Sequence, residues 1–295
     1  MTPGISTHVF LPHRLHPGLL DALAASGART IELFAARHHF DYTDRASVRE
    51  IASWFRSNQV TPTLHQPLSA EPRWTRHTEP SLHLIANEKS HRIAAMDEVK
   101  RALEAAEQIP IASCVLHLGQ KHEAWSDRAL EHSLTAIEHL QAFAGPLGVR
   151  LLLENLENEI TTPDHLLAIL RIGHFDRVGV CLDLGHAYLS ELGLEATFSL
   201  LKPRIMECHL HDNHGPHAPR PSNGSLDEHL WPARSAQRIE GGIDWAKTYP
   251  LLATLHPETA GVLEIQYDLD ESPAAVTRAA IEAFDQQRRL LELQS

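Results

Sequence analysis

Arg150-Leu151-Leu152-Leu153-Glu154 is an apolar run that ends in a carboxylate, and the same pattern returns as Gly179-Val180-Cys181-Leu182-Asp183. It returns again in Ile205-Met206-Glu207-Cys208-His209 and Gly261-Val262-Leu263-Glu264, and earlier in Thr61-Pro62-Thr63-Leu64-His65 and Ser113-Cys114-Val115-Leu116-His117. Short continuous apolar runs are the mark of parallel strands covered on both faces. Strands that stop at a His, Asp or Glu place those side chains at one C-terminal rim. In a barrel, that rim carries the active site.

Outward from these runs, the candidate strands are Ile5–Phe10, Thr30–Phe34, Thr61–His65, Ser113–His117, Arg150–Glu154, Gly179–Asp183, Ile205–His211 and Gly261–Tyr267. Helical spacing fills the gaps. Pro17–Ser26 and Ser47–Ser57 each carry an apolar face, Lys89–Gln108 repeats Ile93, Met96, Val99, Leu103 and Ala106, and Ser126–Phe143 repeats Leu130, Leu134, Ile137 and Leu140. Thr162 and Pro163 open a further helix as cap and first residue, and Pro273–Leu293 closes the chain. Eight strand–helix alternations predict an α/β protein, a single (β/α)8 TIM barrel with residues 1–295 as one domain. Two polar stretches rich in Pro, His, Arg and Trp, Leu68–Asn87 and Asp212–Gly242, break the repeat and are expected to cover the site.

The chain has 295 residues, 43% of them hydrophobic, enough for a barrel core. Its formal charge of −12 lacks the basic footprint of a nucleic-acid binder, although a local basic groove is a separate matter. Cys114, Cys181 and Cys208 form no CxxC and read as buried free thiols of a reducing compartment. The first residues lack the basic and apolar regions of a signal peptide. No apolar run approaches the roughly 18 residues of a membrane span. The expected location is the cytoplasm.

His186, Asp227 and His229 join the strand-end residues as candidate ligands. Imidazoles and carboxylates in one cluster suit a divalent metal, Zn, Mn, Co or Mg. With 22 histidines in the chain, His65 or His117 alone reads equally as a core histidine. Glu154 and Glu264 follow wholly apolar runs, where a carboxylate is costly unless it is paired or bound; a structural salt bridge is the bland alternative for each. His211 and Asp212 either support the ligands or sit in the loop. Nothing in the sequence places His8, His13 or His16 at the mouth. Glu32, near the end of the second strand, is expected to bind a substrate hydroxyl or form a buried salt bridge. Trp74, Trp231 and Trp245 either stack on a sugar ring or pack the loops. Gly241-Gly242 is a weak candidate for a phosphate-binding turn.

The ordered set His65, His117, Glu154, Asp183-x-x-His186, His209, Asp227-x-His229, Glu264 resembles the xylose-isomerase-like barrel superfamily. That superfamily includes sugar and sugar-phosphate isomerases and epimerases, inosose dehydratases and the endonuclease IV type of apurinic endonuclease. Glu228-His229-Leu230-Trp231-Pro232 with Gly241-Gly242-Ile243-Asp244-Trp245 is similar to its His-Leu-Pro…Gly-x-Ile-Asp-Trp segment, with an insertion at Ala233 to Glu240. The epimerase branch implies that Glu154, Asp183, His209 and Glu264 hold one ion. It also implies that Glu154 and Glu264 move the proton on opposite faces of the substrate carbon through an enediolate, and that His186 contacts a substrate oxygen. The endonuclease branch implies three zinc ions on all nine positions and an abasic-DNA phosphodiesterase.

The words around the ligands, Glu154-Asn155-Leu156-Glu157-Asn158-Glu159, Asp183-Leu184-Gly185-His186 and His209-Leu210-His211-Asp212, depart from the nuclease pattern, and Glu157 and Glu159 would repel a DNA backbone. The expectation is a metal-dependent isomerase or epimerase of a sugar, sugar phosphate or similar polyol. Hydrolysis is the runner-up, and a non-catalytic metal- or sugar-binding barrel a third reading. The expected partner is a small-molecule sugar or polyol; nucleic acid is less favoured, no membrane is implied, and a homo-oligomer is left open.

Overall fold

A computed structural model of the chain describes residues 1–75, 78–219, 225–232, 239–266 and 272–292. Its strands are β1 (Thr2–Ser6), β2 (Thr30–Phe34), β3 (Thr61–His65), β4 (Ser113–Leu116), β5 (Arg150–Glu154), β6 (Gly179–Asp183), β7 (Ile205–Leu210) and β8 (Ala260–Leu263). All are parallel and follow chain order around a closed barrel, sealed where β1 pairs with β8, Ile5 beside Leu263. The helices around it are α1 (Pro17–Ala25), α2 (Arg45–Ser57), α3 (Lys89–Leu103), α4 (Asp127–Ala144), α5 (Pro163–Ile172), α6 (Leu184–Leu189), α7 (Leu194–Leu201), α8 (Trp245–Leu252) and α9 (Pro273–Glu292). The fold is a single (β/α)8 TIM barrel. Among the described residues, no helix is long and apolar enough to cross a membrane.

The expected strands need correcting mainly at their ends. The first does not run from Ile5 to Phe10. It covers Thr2–Ser6, and Thr7–Phe10 coils into a 3-10 turn because the Ser6 hydroxyl caps it by accepting from the His8 amide at 3.2 Å. This turn places His8 on the rim. β4, β7 and β8 stop short of His117, His211 and Tyr267, and Tyr267 lies outside the described residues. The tight turn expected after Asp183 is the first turn of α6, with Asp183 as its cap: Oδ1 accepts from the His186 amide at 2.6 Å. Thr162 stands at the start of α5, but its hydroxyl donates back to the Glu159 carbonyl and gives the helix no cap. The helix expected over Lys89–Gln108 breaks into α3 and a 3-10 turn at Glu104–Glu107, and Leu293 lies outside the described residues.

Two layers of packing hold the barrel. Ile31, Leu33, Leu64, Leu116, Leu151, Leu153, Val180 and Leu182 face the helices. Inside, Val115, Leu152 and Cys181 form a small apolar plug. Beside it lies a buried polar tier. Glu207 accepts from Thr63 Oγ1 at 3.2 Å and from Ser113 Oγ at 3.1 Å, and burial, reinforced by Glu32, pushes its carboxyl up to about 7. All three cysteines are buried free thiols, as the sequence suggests.

The two long stretches are tied to the barrel. In the first, Trp74 stacks on Phe34 at 5.9 Å and donates Nε1–H to the Thr78 carbonyl; His77, with Arg76, lies outside the described residues. In the second, the Asp212 backbone pairs with Leu230, while its carboxylate accepts from the amides of Asn213 and Ile243 and from Trp245 Nε1 at 2.7 Å. Residues 233–238 of the insertion expected at Ala233 to Glu240 lie outside the described residues.

Candidate metal centre

Glu154 ends β5, Asp183 ends β6, His209 lies one residue from the end of β7, and Glu264 follows β8. Each offers one ligand atom, and these atoms lie within 4.8 Å of one another, all buried. His209 Nδ1 is 3.1 Å from Glu264 Oε2, 3.6 Å from Glu154 Oε2 and 3.9 Å from Asp183 Oδ2. This nitrogen is buried and makes no hydrogen bond. A buried imidazole nitrogen that makes no hydrogen bond but stands among three gathered carboxylates fits a divalent cation, since gathered like charges are costly. The donor set, one imidazole and three carboxylates, suits Zn or Mn.

Two further groups flank this one. His65 Nε2 is 3.0 Å from His117 Nε2, which is 2.9 Å from Glu154 Oε2, so Glu154 belongs to both groups. On the other side, Asp227 Oδ2 lies 3.1 Å from His229 Nε2 and 3.4 Å from His186 Nε2. His229 donates Nδ1–H to the Glu264 carbonyl and adopts φ 48°, a region L-residues rarely occupy. All nine residues expected as ligands therefore stand around one mouth.

The electrostatics follow from this crowding. Burial presses the rings of His186 and His209 toward their neutral forms. Asp183 and Asp227 outweigh it at His186. At His209, Cys181, Glu264 and Glu32 do the same, and both rings titrate well above the ordinary value. Burial would raise Glu154 and Glu264, but His209 acts on both, with His117 at Glu154 and His229 at Glu264, and holds them well below the usual carboxylate range. Raised imidazoles thus balance lowered carboxylates across the group, and a cation bound there would displace those protons.

Glu32 does not offer the hydroxyl contact expected of it. It is fully buried, does not line the cavity, and its Oε2 lies 3.1 Å from His209 Nε2. The bland alternative, a buried ion pair, is the arrangement found. Two residues outside the nine join the site: His8, which nothing in the sequence places at the mouth, and His211, expected either to support the ligands or to sit in the loop. His8, on the 3-10 turn after β1, has a ligand atom within 4.8 Å of His229 and Glu264. His211 lies against Asp183 and His229. Their signal in the sequence was weak, a His one turn past a strand and a His at i+2 from a ligand.

The mouth is a cavity of about 670 Å³, within the range of small-molecule sites. Phe34, Leu68 and Trp74 are apolar parts of its lining, together with His117, His186 and Glu264. Lys121 at the rim is paired with Glu157 at 2.8 Å. Trp245 is buried on Asp212 and Trp231 packs on the core, so of the three tryptophans only Trp74 reaches the cavity. Gly241 and Gly242 do not line the cavity wall.

A sequence profile described as the xylose isomerase-like TIM barrel matches residues 20–287. This chain belongs to the xylose isomerase-like TIM barrel family. Among relatives of this barrel, an uncharacterized protein of Methanocaldococcus jannaschii is 24% identical over 236 residues, 77% of this chain and 73% of that protein. D-psicose 3-epimerase from Clostridium cellulolyticum H10, solved with D-tagatose, aligns with a TM-score of 0.75 at 16% identity, over 99% of both chains. A zinc-bound IolI protein aligns with a TM-score of 0.75 at 15% identity, over 97% of this chain and 98% of that one. At these identities the structural likeness speaks for the xylose isomerase-like fold.

Proposed function

We propose that the chain is a divalent-metal-dependent isomerase or epimerase of a sugar or sugar-like polyol. The observation that carries this reading is the convergence of Glu154 and Glu264, from different arcs of the barrel and both lining a cavity of about 670 Å³, on the same buried His209. The shared fold of D-psicose 3-epimerase supports the substrate class. Glu154, Asp183, His209 and Glu264 would hold the ion, which when bound supplies the positive charge that stabilises a developing enediolate. Glu154 and Glu264 exchange the proton at the carbon beside the carbonyl, one on each face. His186, in the cavity wall with Nδ1 donating to the Asn155 carbonyl, presents Nε2 toward substrate oxygen. The Phe34–Trp74 wall packs the C–H face of the sugar and excludes water.

The test is incubation of the metal-loaded chain with D-tagatose or D-psicose in deuterated water. The expected outcome is epimerisation with deuterium entering at the reacting carbon. Glu154→Gln and Glu264→Gln should each lower turnover by about 10²–10⁴-fold, and EDTA should abolish it. Unchanged turnover under all three treatments would end this reading.

One observation favours a second reading. The two flanking groups would allow three ions rather than one, the arrangement of a multi-metal phosphodiesterase. Three tightly held zinc ions per chain together with cleavage of an abasic duplex would support it. Glu157 beside the mouth works against a DNA backbone.

A further inference from the structure

We propose that His211 is a positioning residue that fixes the Asp183 carboxylate through its Nε2–H while its ring is held against His229. This rests on the proposed metal binding and concerns a residue outside the nine ligands.

His211 is fully buried, two residues beyond His209 on the chain leaving β7. Its Nε2 lies 2.9 Å from Asp183 Oδ2 and 3.0 Å from Oδ1. With both Asp183 oxygens within hydrogen-bond distance and Asp227 Oδ1 farther off at 3.9 Å, that nitrogen carries the proton. Its Nδ1 is buried and makes no hydrogen bond. The ring lies on His229 with centroids 3.9 Å apart and planes 4° from parallel.

The stacking rules out the simplest alternative, that His211 is a fourth ligand to an ion held by His186, Asp227 and His229. Imidazole nitrogen coordinates in the plane of its ring, with Zn–N about 2.0–2.1 Å. Two parallel rings stacked face to face cannot both contain one ion in their planes. His211 therefore acts on Asp183. That carboxylate also accepts the His186 amide at 2.6 Å. Two donors, one from α6 and one from the residue just after β7, set its rotation and leave its remaining lone pairs for the ion. Hydrogen bonds of this kind orient ligands and set metal affinity.

The chain makes room for this ring in one place. A Cβ on Gly185 would lie 2.0 Å from His211 Cε1. The glycine between Asp183 and His186 is therefore the seat of the imidazole that supports Asp183.

The experiment is zinc titration of the metal-free full-length chain against a chromophoric chelator, with zinc counted per chain and folding followed by circular dichroism. His211→Phe keeps an aromatic face on His229 and removes the N–H. His211→Gln returns an N–H donor toward Asp183 and removes the ring. The expected result is a loss of about 10–100-fold in zinc affinity for H211F, with H211Q recovering most of it. Equal affinity in H211F and the unaltered chain overturns the inference alone, as does an equal loss in both variants. No zinc uptake by the unaltered chain overturns the proposed function with it. Should the variants fail to fold, ¹⁵N resonances of the histidine rings in the unaltered chain decide the matter. Zinc should displace the nitrogens of the ligating rings and leave His211 with its Nε2–H; a zinc-displaced His211 nitrogen refutes the role.

Discussion

Glu32 and His209 form a carboxylate–imidazole pair inside the barrel, Oε2 to Nε2 3.1 Å, with neither residue exposed. The contact fixes the ring's orientation: Nε2–H donates to Glu32, and Nδ1 is turned toward Glu154, Asp183 and Glu264, where the proposed cation would sit. A carboxylate behind a ligating imidazole also raises its basicity. Glu32→Gln keeps the shape and removes the charge. The expected outcome is a loss of about 10–100-fold in zinc affinity with the fold retained, measured by chelator competition and circular dichroism. Unchanged affinity would make the pair purely structural.

The barrel was legible because its strands announce themselves. Arg150–Glu154 and Gly179–Asp183 are found with the bounds their apolar runs give, and each ends on a candidate ligand. Ligands on strand ends can be read from order alone, since topology brings strand ends together whatever lies between them. Residues off the strands were harder. His8 reaches the rim only because Ser6 caps a 3-10 turn, and a Ser-Thr-His sequence gives no period from which to infer this. α6, α7 and α8 were missed because they are short, and one apolar turn or two cannot establish a helical repeat. Glu32 shows the third kind of difficulty. Its burial was foreseeable, but the partner that decides its role, His209, is remote in sequence and adjacent only through barrel closure.

Gly185 offers a steric test. Alanine there would set a methyl 2.0 Å from a carbon of the buried His211 ring, and that ring has Asp183 on one side and His229 on its face. It cannot swing away without leaving those contacts. Overpacking of this kind costs about 1–3 kcal/mol. The expected outcome for Gly185→Ala is a lower melting temperature of the metal-free chain, together with weaker zinc binding. A melt indistinguishable from the unaltered chain would mean that the ring has another place to go.

Asp212 joins the Asp212–Leu230 bridge to the Gly-Ile-Asp-Trp segment. It accepts two amides and the Trp245 indole, and burial raises its carboxyl above the usual range in spite of those donors. Asp212→Ala would leave the Ile243 amide and Trp245 Nε1 as buried donors without acceptors, each costing about 1–3 kcal/mol. Asp227 and His229 ride on the loop it anchors. The expected outcome is early proteolysis within residues 212–242 and a lower melting temperature, whereas Trp245→Phe, losing one donor, should do less of both. Limited proteolysis followed by mass spectrometry checks the order.

The histidines give the site a pH signature. Burial works against the His65 charge, but Glu154, Glu32 and Glu264 outweigh it and raise its pKa from 6.5 to about 9. A folded value above the unfolded one means that His65 contributes stability fully below pH 6.5 and loses it as the pH rises through about 9. Glu154 and Glu264 are held below 4.5, so their contribution is present above pH 4.5 and is lost as the pH falls through their folded values. The metal-free chain should therefore melt highest between pH 4.5 and 6.5 and fall away on both sides. Zinc acts in the opposite sense on the alkaline limb. A cation held by Glu154, Asp183, His209 and Glu264 would need the His209 ring neutral and would repel the charge on His65 beside it, so binding expels protons and tightens as the pH rises from 6.5 toward 9. The rise in melting temperature produced by zinc should grow across that range, and zinc added to the metal-free chain at pH 7 in weak buffer should acidify it. A zinc increment that is flat with pH, with no proton released, would show that His65 and its neighbours do not exchange protons for a metal.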